Sequence, residues 1–177
     1  MARPPNAQPN SCDSVVTDDL RLALADRSKD APIFEAFRCW GPGSTAPWAQ
    51  EVEAFVQTRV LREAQHTLKW VVDGQLAAVA AFDVDQMEFP LLHPDHDEPV
   101  WYLRVVALTC AMQRAGRSQA VFSEVFRLMR LLDESRHLVY GVVHPDNSWS
   151  FKASATAGLD KLYRRDDGYW VVCGPIP

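Results

Sequence analysis

The chain has 177 residues, 47% hydrophobic and 23% charged, an ordinary composition for a globular protein with one full core and too short for two comfortable domains. Eighteen Lys and Arg against 23 Asp and Glu give a net charge of -5, which excludes a general basic field for steering onto nucleic acid or an anionic membrane. The cysteines Cys12, Cys39, Cys110 and Cys173 contain no Cys-x-x-Cys pair, which argues against a zinc knuckle or a disulfide framework and for reduced thiols.

In chain order, residues 1–12 are rich in Pro, Asn, Gln and Ser and are expected to form a disordered tail, with residues 13–177 as a single domain. The start lacks the apolar core of a signal peptide, and the longest apolar run, Leu76 to Phe82, is far short of a membrane span. A cytoplasmic location without a membrane partner is the expectation. Residues 14–30 read equally as strand or helix. Phe34, Phe37, Cys39 and Trp40 form an aromatic cluster that ends at the break Gly41-Pro42-Gly43. From Trp48 to Ala64, apolar residues at Trp48, Val52, Phe55, Val56 and Val60 keep helical spacing and predict one amphipathic helix. Thr67–Val72 and Gln75–Phe82 flank Asp73-Gly74, a dipeptide suited to the tight turn of an antiparallel hairpin. Asp83 to Pro99 reads as a long polar loop.

Trp101–Leu108 is an apolar strand followed by a polar turn, after which Val121, Phe122, Val125, Phe126, Met129 and Leu132 set a helical repeat. The N–H groups that open this helix and its dipole would point at an anion. His137–His144 is the next strand, and Pro145-Asp146-Asn147 stops it and caps a helix over Ser148–Ala157 that ends at Gly158. Leu162–Arg165 and Tyr169–Cys173 flank Asp167-Gly168 as a last hairpin.

The segment Gln113-Arg114-Ala115-Gly116-Arg117-Ser118 resembles the Gln/Arg-x-x-Gly-x-Gly/Ala pyrophosphate loop of the GNAT-type N-acetyltransferases, with Ser118 in place of the usual Gly or Ala. Downstream, Asn147-x-x-Ser150-x-x-x-Ser154-x-x-x-Gly158-Leu159 is similar to that family's Asn-x-x-Ala-x-x-x-Tyr-x-x-x-Gly-Phe. The resemblance covers residues 34–175 and implies an α+β fold: a twisted, mostly antiparallel sheet of six to seven strands around a central strand-loop-helix-strand unit, with flanking helices. In that arrangement the aromatic cluster at Phe34–Trp40 would be the first strand and its turn.

The resemblance further implies an enzyme that moves an acetyl group from acetyl-coenzyme A to an amine by direct attack. The cofactor would be held by Gln113 to Ser118 and by the backbone of Leu108 to Cys110, with Asn147 reaching it from the other side. Trp101–Leu108 contains no acid where the family often places a base, so Glu98, Asp97 and His96 at the strand entrance are the candidates. Ser154 stands where the family has the Tyr that protonates the leaving thiolate, and Tyr140 and Tyr163 are the nearest phenols in sequence. His93, Asp95, His96, Asp97 and Glu98 read as a solvated acidic loop, so no metal is expected. The expected partners are acetyl-coenzyme A and an amine acceptor of a small molecule or peptide, with charged tRNA, a partner-binding role without catalysis, and a homodimer left open.

Overall fold

The computed structural model describes residues 20–40, 46–85, 100–114 and 117–177. The tail, the acidic loop with its candidates His96, Asp97 and Glu98, and Ala115 and Gly116 of the phosphate turn lie outside the described residues.

Seven strands form one sheet in the order β1-β2-β3-β4-β5-β7-β6, with β1 at Ala23–Leu24, β2 at His66–Val72, β3 at Gln75–Asp85, β4 at Val100–Leu108, β5 at Leu138–Val143, β6 at Asp160–Arg164 and β7 at Trp170–Pro175. Neighbours are antiparallel except β4 and β5. That parallel pair needs a crossover, which the intervening helix supplies. The β2–β3 hairpin turns at Asp73 and Gly74, with φ of 51° and 76°, as the Asp-Gly dipeptide predicts.

Helices α1 (Ala31–Glu35), α2 (Pro47–Thr58) and α3 (Val60–Glu63) cover one face of the sheet, where Phe34, Phe37, Val56 and Val60 pack on Val79 and Ala81. After the one-turn helix α4 (Cys110–Arg114), α5 (Ser118–Leu132) and α6 (Ser148–Thr156) cover the other, with Val121, Phe122, Val125 and Met129 on Ala78, Ala80 and Phe82. Asn147 caps α6 by accepting from the Ser150 N–H at 3.0 Å, and Gly158 follows it at φ 85°.

Several expectations are corrected. The aromatic cluster is not the first strand: Pro32, with φ preset and no N–H to lose, starts α1 there, and the edge strand is the earlier Ala23–Leu24, paired with Lys69 and Leu68. The single helix expected to reach Ala64 is broken at Arg59 (φ -127°), next to Thr58, whose hydroxyl bonds back to the Ala54 carbonyl at 2.6 Å. Asp83 to Asp85 continue β3 rather than opening the loop. Leu132, placed on the buried stripe of α5, is 45% exposed in its last turn. The C-terminal hairpin has a longer link than two residues, closed by Arg165 N–H on the Tyr169 carbonyl at 2.8 Å.

Candidate active site

The site begins with one unmatched residue. β4 pairs with β3 as Phe82 with Leu103 and then Ala81 with Val105, so Arg104 is a bulge. The bulge reverses the alternation of the strand: Trp101 and Leu103 pack on the α5 side, whereas Val105 and Ala107 pack on the α2 side. An extra residue bends a strand and raises its twist. On its other edge β4 pairs with β5 only at Trp101–Val139, Tyr102–Tyr140 and Leu103–Gly141, and pairing stops at the residue before the bulge. Meanwhile β5 stays bonded to β7 as far as Val143, so the sheet splits between β4 and β5. Gly141 permits the last close pair, since a Cβ there would stand 3.2 Å from the Leu103 carbonyl oxygen.

A cavity of about 190 Å³ occupies the split. That is less than the ~300 Å³ at which pockets begin to hold a whole drug-sized ligand, and it suits a slender chain. At one end it is lined by Trp40, Trp48 and Val52 from the α2 side, and at the other by Gln113, Ser118, Phe122, Asn147 and Trp149. It therefore runs through the sheet. Trp149 stands 70% exposed on the rim.

The structure distributes the sequence candidates unevenly. Leu108, Gln113, Ser118, Asn147 and Ser154 all line the cavity. Ser154 is buried at 5% exposure. Arg117 is the N-cap of α5, so the helix opens where Ser118 faces the cavity. Cys110 is half-buried at the start of α4, and Arg114 ends that turn, a helical turn where the sequence predicts a loop. The expectation that the backbone of Leu108 to Cys110 is free for a ligand needs revision. The Thr109 N–H donates to the Ala77 carbonyl at 2.9 Å, and the Leu108 carbonyl accepts from Gln113 Nε2 at 2.7 Å. Gln113 spends its second amide hydrogen on the Cys39 carbonyl at 2.8 Å, tying the α4 turn to the segment after α1. The β4 edge left without a strand partner is instead Arg104 to Leu108.

Tyr140 is not among the cavity-lining residues. It is buried with Val100, Val171 and Cys173, stacks on Tyr102 at 4.8 Å between centroids, and donates to Asp85 at 3.2 Å. Tyr163 packs against the same cluster. The carboxylate missing from β4 is present one strand away. Asp83 on β3 is buried at 4% exposure and pairs with Arg104, while its other oxygen accepts from the Gln65 N–H at 2.7 Å. Both oxygens are engaged, so Asp83 fixes the guanidinium on the cavity wall. The sequence does not reveal the pair, because nothing in DVD marks the register that sets Asp83 beside Arg104. Among the described residues no cluster of His, Cys, Asp and Glu could hold a metal.

Cys39 also lines the cavity, and its reactivity decides whether an acyl group could pass through the protein. Burial, and secondly the charge of Glu53, push its thiol up to about 12. At pH 8 about one molecule in ten thousand then carries the thiolate, the only nucleophilic form. Cys39 is expected to stay unlabelled by iodoacetamide at pH 8 in the folded protein and to label fully in denaturant, as read by peptide mass. Stoichiometric labelling of the native protein would contradict this.

No protein-family model matches the chain, and no curated protein matches it. Solved structures do. A putative acetyltransferase of the GNAT family from Desulfovibrio desulfuricans shares 16% identity and a TM-score of 0.61 over 88% of this chain and 98% of its own. AtaTR bound with acetyl-CoA shares 14% identity and a TM-score of 0.64 over 90% and 95%. The aminoglycoside acetyltransferase AAC(6')-Ib in complex with coenzyme A gives 14% and 0.64 over 88% and 94%. The likeness establishes a common fold.

Proposed function

We infer that this chain, which has the GNAT acetyltransferase fold, is an acetyl-coenzyme A-dependent N-acetyltransferase acting on an amine of a small molecule or peptide. The observation that carries the reading is the split between β4 and β5, with the N-terminus of a 15-residue helix at one end of the cavity and an aromatic wall at the other. The residues present fit the cofactor. A slender passage suits its pantetheine arm, the β4 edge that has no strand partner among the described residues offers backbone donors and acceptors, and the N–H groups at the start of α5, which no side chain caps among those residues, suit its phosphates. Two neighbours of the same fold hold acetyl-CoA or coenzyme A, which supports the same co-substrate here.

The bound thioester supplies the activated acetyl group, and the chain supplies positioning. Gln113 fixes the α4 turn, α5 and the residues from Arg114 to Ser118 hold the phosphates, and Asn147, whose Oδ1 is committed to its cap, keeps its amide hydrogens as donors on the opposite wall. A backbone N–H of the β4 edge stabilises charge on the thioester oxygen. Ser154 is the one of the three candidate hydroxyls that borders the cavity, so it or a water beside it returns a proton to the thiolate. The proton of the amine is accepted by His96, Asp97 or Glu98, or relayed by water. Charged tRNA is the less favoured acceptor: α2, beside the acceptor end, carries Glu51 and Glu53 and no Lys or Arg.

Acetyl-CoA at about a hundred times its dissociation constant adds about 2.7 kcal/mol. For a chain of this size that should raise the melting temperature by roughly 5–10 °C in a thermal-shift assay. Coenzyme A should then be released in a screen of amines. No shift at millimolar cofactor would defeat the reading.

A further inference from the structure

We propose that the acceptor carries its amine close to an aromatic or similarly bulky apolar group, which seats against Trp40 and Trp48 at the α2 end of the cavity. The proposal rests on the acetyltransferase reading and adds the class of acceptor to it.

The α2 end is lined by Cys39, Trp40, Trp48, Val52, Val105 and Ala107, and the two polar lining residues nearest to it are already engaged, Gln113 Nε2 on the Cys39 and Leu108 carbonyls and Arg104 on Asp83. The indoles of Trp40 and Trp48 meet edge to face, 4.8 Å between centroids and 89° between planes, and so form a corner. This corner is fixed from several directions. Glu53 accepts the backbone N–H groups of Cys39 and Trp40 at 2.8 and 3.0 Å. Trp48 stacks on His144 at 6.4 Å, and the His144 ring is itself held by the Asp146 N–H on Nδ1 at 3.1 Å and by the edge contact of Tyr169 at 5.1 Å. Tyr169 in turn donates to Glu51 at 3.0 Å. The two carboxylates of α2 are thus committed to holding the wall. What the corner presents inward is ring and methyl surface, which gains by covering apolar area and discriminates by shape.

Chemistry places the amine beyond this corner, toward the split. There its nitrogen lone pair attacks the thioester carbonyl carbon, the new C–N bond forms and the C–S bond breaks. The nitrogen loses one proton to the base and the departing thiolate gains one, so no redox partner is needed. An acceptor with no apolar body leaves the corner to water and loses that contact in the transition state as well as in binding. A peptide N-terminus, a small arylalkyl amine and an aminoacyl ester on tRNA share the required chemistry.

The test uses the full chain with saturating acetyl-CoA and follows thiol release. In the wild type, phenylalanine amide should exceed glycine amide in kcat/KM by about thirtyfold, within the range a hydrophobic pocket provides. Trp48→Ala should bring that ratio to within about threefold while calorimetry shows the acetyl-CoA Kd unchanged, and Trp48→Leu, which keeps apolar bulk, should fall between. A preference for phenylalanyl-tRNA over glycyl-tRNA by the same margin would support the proposal with RNA as carrier. Equal rates for the two amides, a higher kcat/KM for spermidine, or an unchanged ratio in both Trp48 variants would overturn it. Binding of acetyl-CoA with no acceptor turned over would overturn it and leave the cofactor reading standing, whereas absence of acetyl-CoA binding would defeat that reading itself.

Discussion

Replacing Gly116 with glutamate should abolish measurable acetyl-coenzyme A binding, a loss of at least about a hundredfold, while the free protein melts at its usual temperature. The reason lies in what surrounds the position. Helix α5 runs for 15 residues from Ser118, and Arg117 caps it without a side-chain bond to the helix. Its leading N–H groups therefore have no side-chain acceptor among the described residues, and the aligned peptide dipoles place a partial positive charge beside them. A carboxylate introduced next to that end is the intramolecular rival of a phosphate: it takes up the same donors and opposes the like charge of the ligand. Titration calorimetry on the purified variant decides the matter, and an affinity within threefold of the wild type would remove the phosphate-loop assignment.

The second large effect concerns stability. Gly174 on β7 lies against the turn that follows α6, and a Cβ added there would collide with the carbonyl oxygen of Gly158 and stand 3.0 Å from its carbonyl carbon. Neither side can yield easily. Gly158 sits at φ 85°, where side chains are disfavoured and the backbone is set by the end of the helix. β7 is paired with β5 on one edge and with β6 on the other. Gly174→Ala should therefore cost about 3 kcal/mol through overpacking against backbone. Urea unfolding would measure it, and a loss below about 1 kcal/mol would mean that the turn relaxes after all.

Much of the architecture is legible in sequence because it rests on local rules. Asp73-Gly74 announces the hairpin, Asn147 the cap, Gly158 the helix stop, and Val121 to Met129 the buried stripe of α5. The phosphate-turn pattern and the Asn147 pattern each contain a residue, Ser118 and Asn147, that lines the cavity. What escapes is whatever depends on register. Read with a strict alternation, Trp101, Leu103, Val105 and Ala107 would share one face of β4, yet the structure divides them between two cores. No glycine or proline in the strand warns of this. The Asp83–Arg104 pair follows from the same shift and is equally silent. Tyr140 illustrates a different gap: a phenol near the expected site in sequence is turned into the sheet packing by its place on the strand. Trp48 shows a third, since helical spacing marks a residue as inward-facing without saying whether it meets a neighbour or an opening.

The bulge at Arg104 gives the site an unusual kind of permanence. The opening exists because one strand has a residue more than its neighbour can match, so it is a matter of counting rather than of side-chain identity. Point substitutions along β4 can repaint the walls of the passage but leave the count untouched. Closing it would take the deletion of a residue, and that would also turn every side chain beyond the gap to the opposite face. The lining of the passage can therefore change by point substitution while the passage itself stays open.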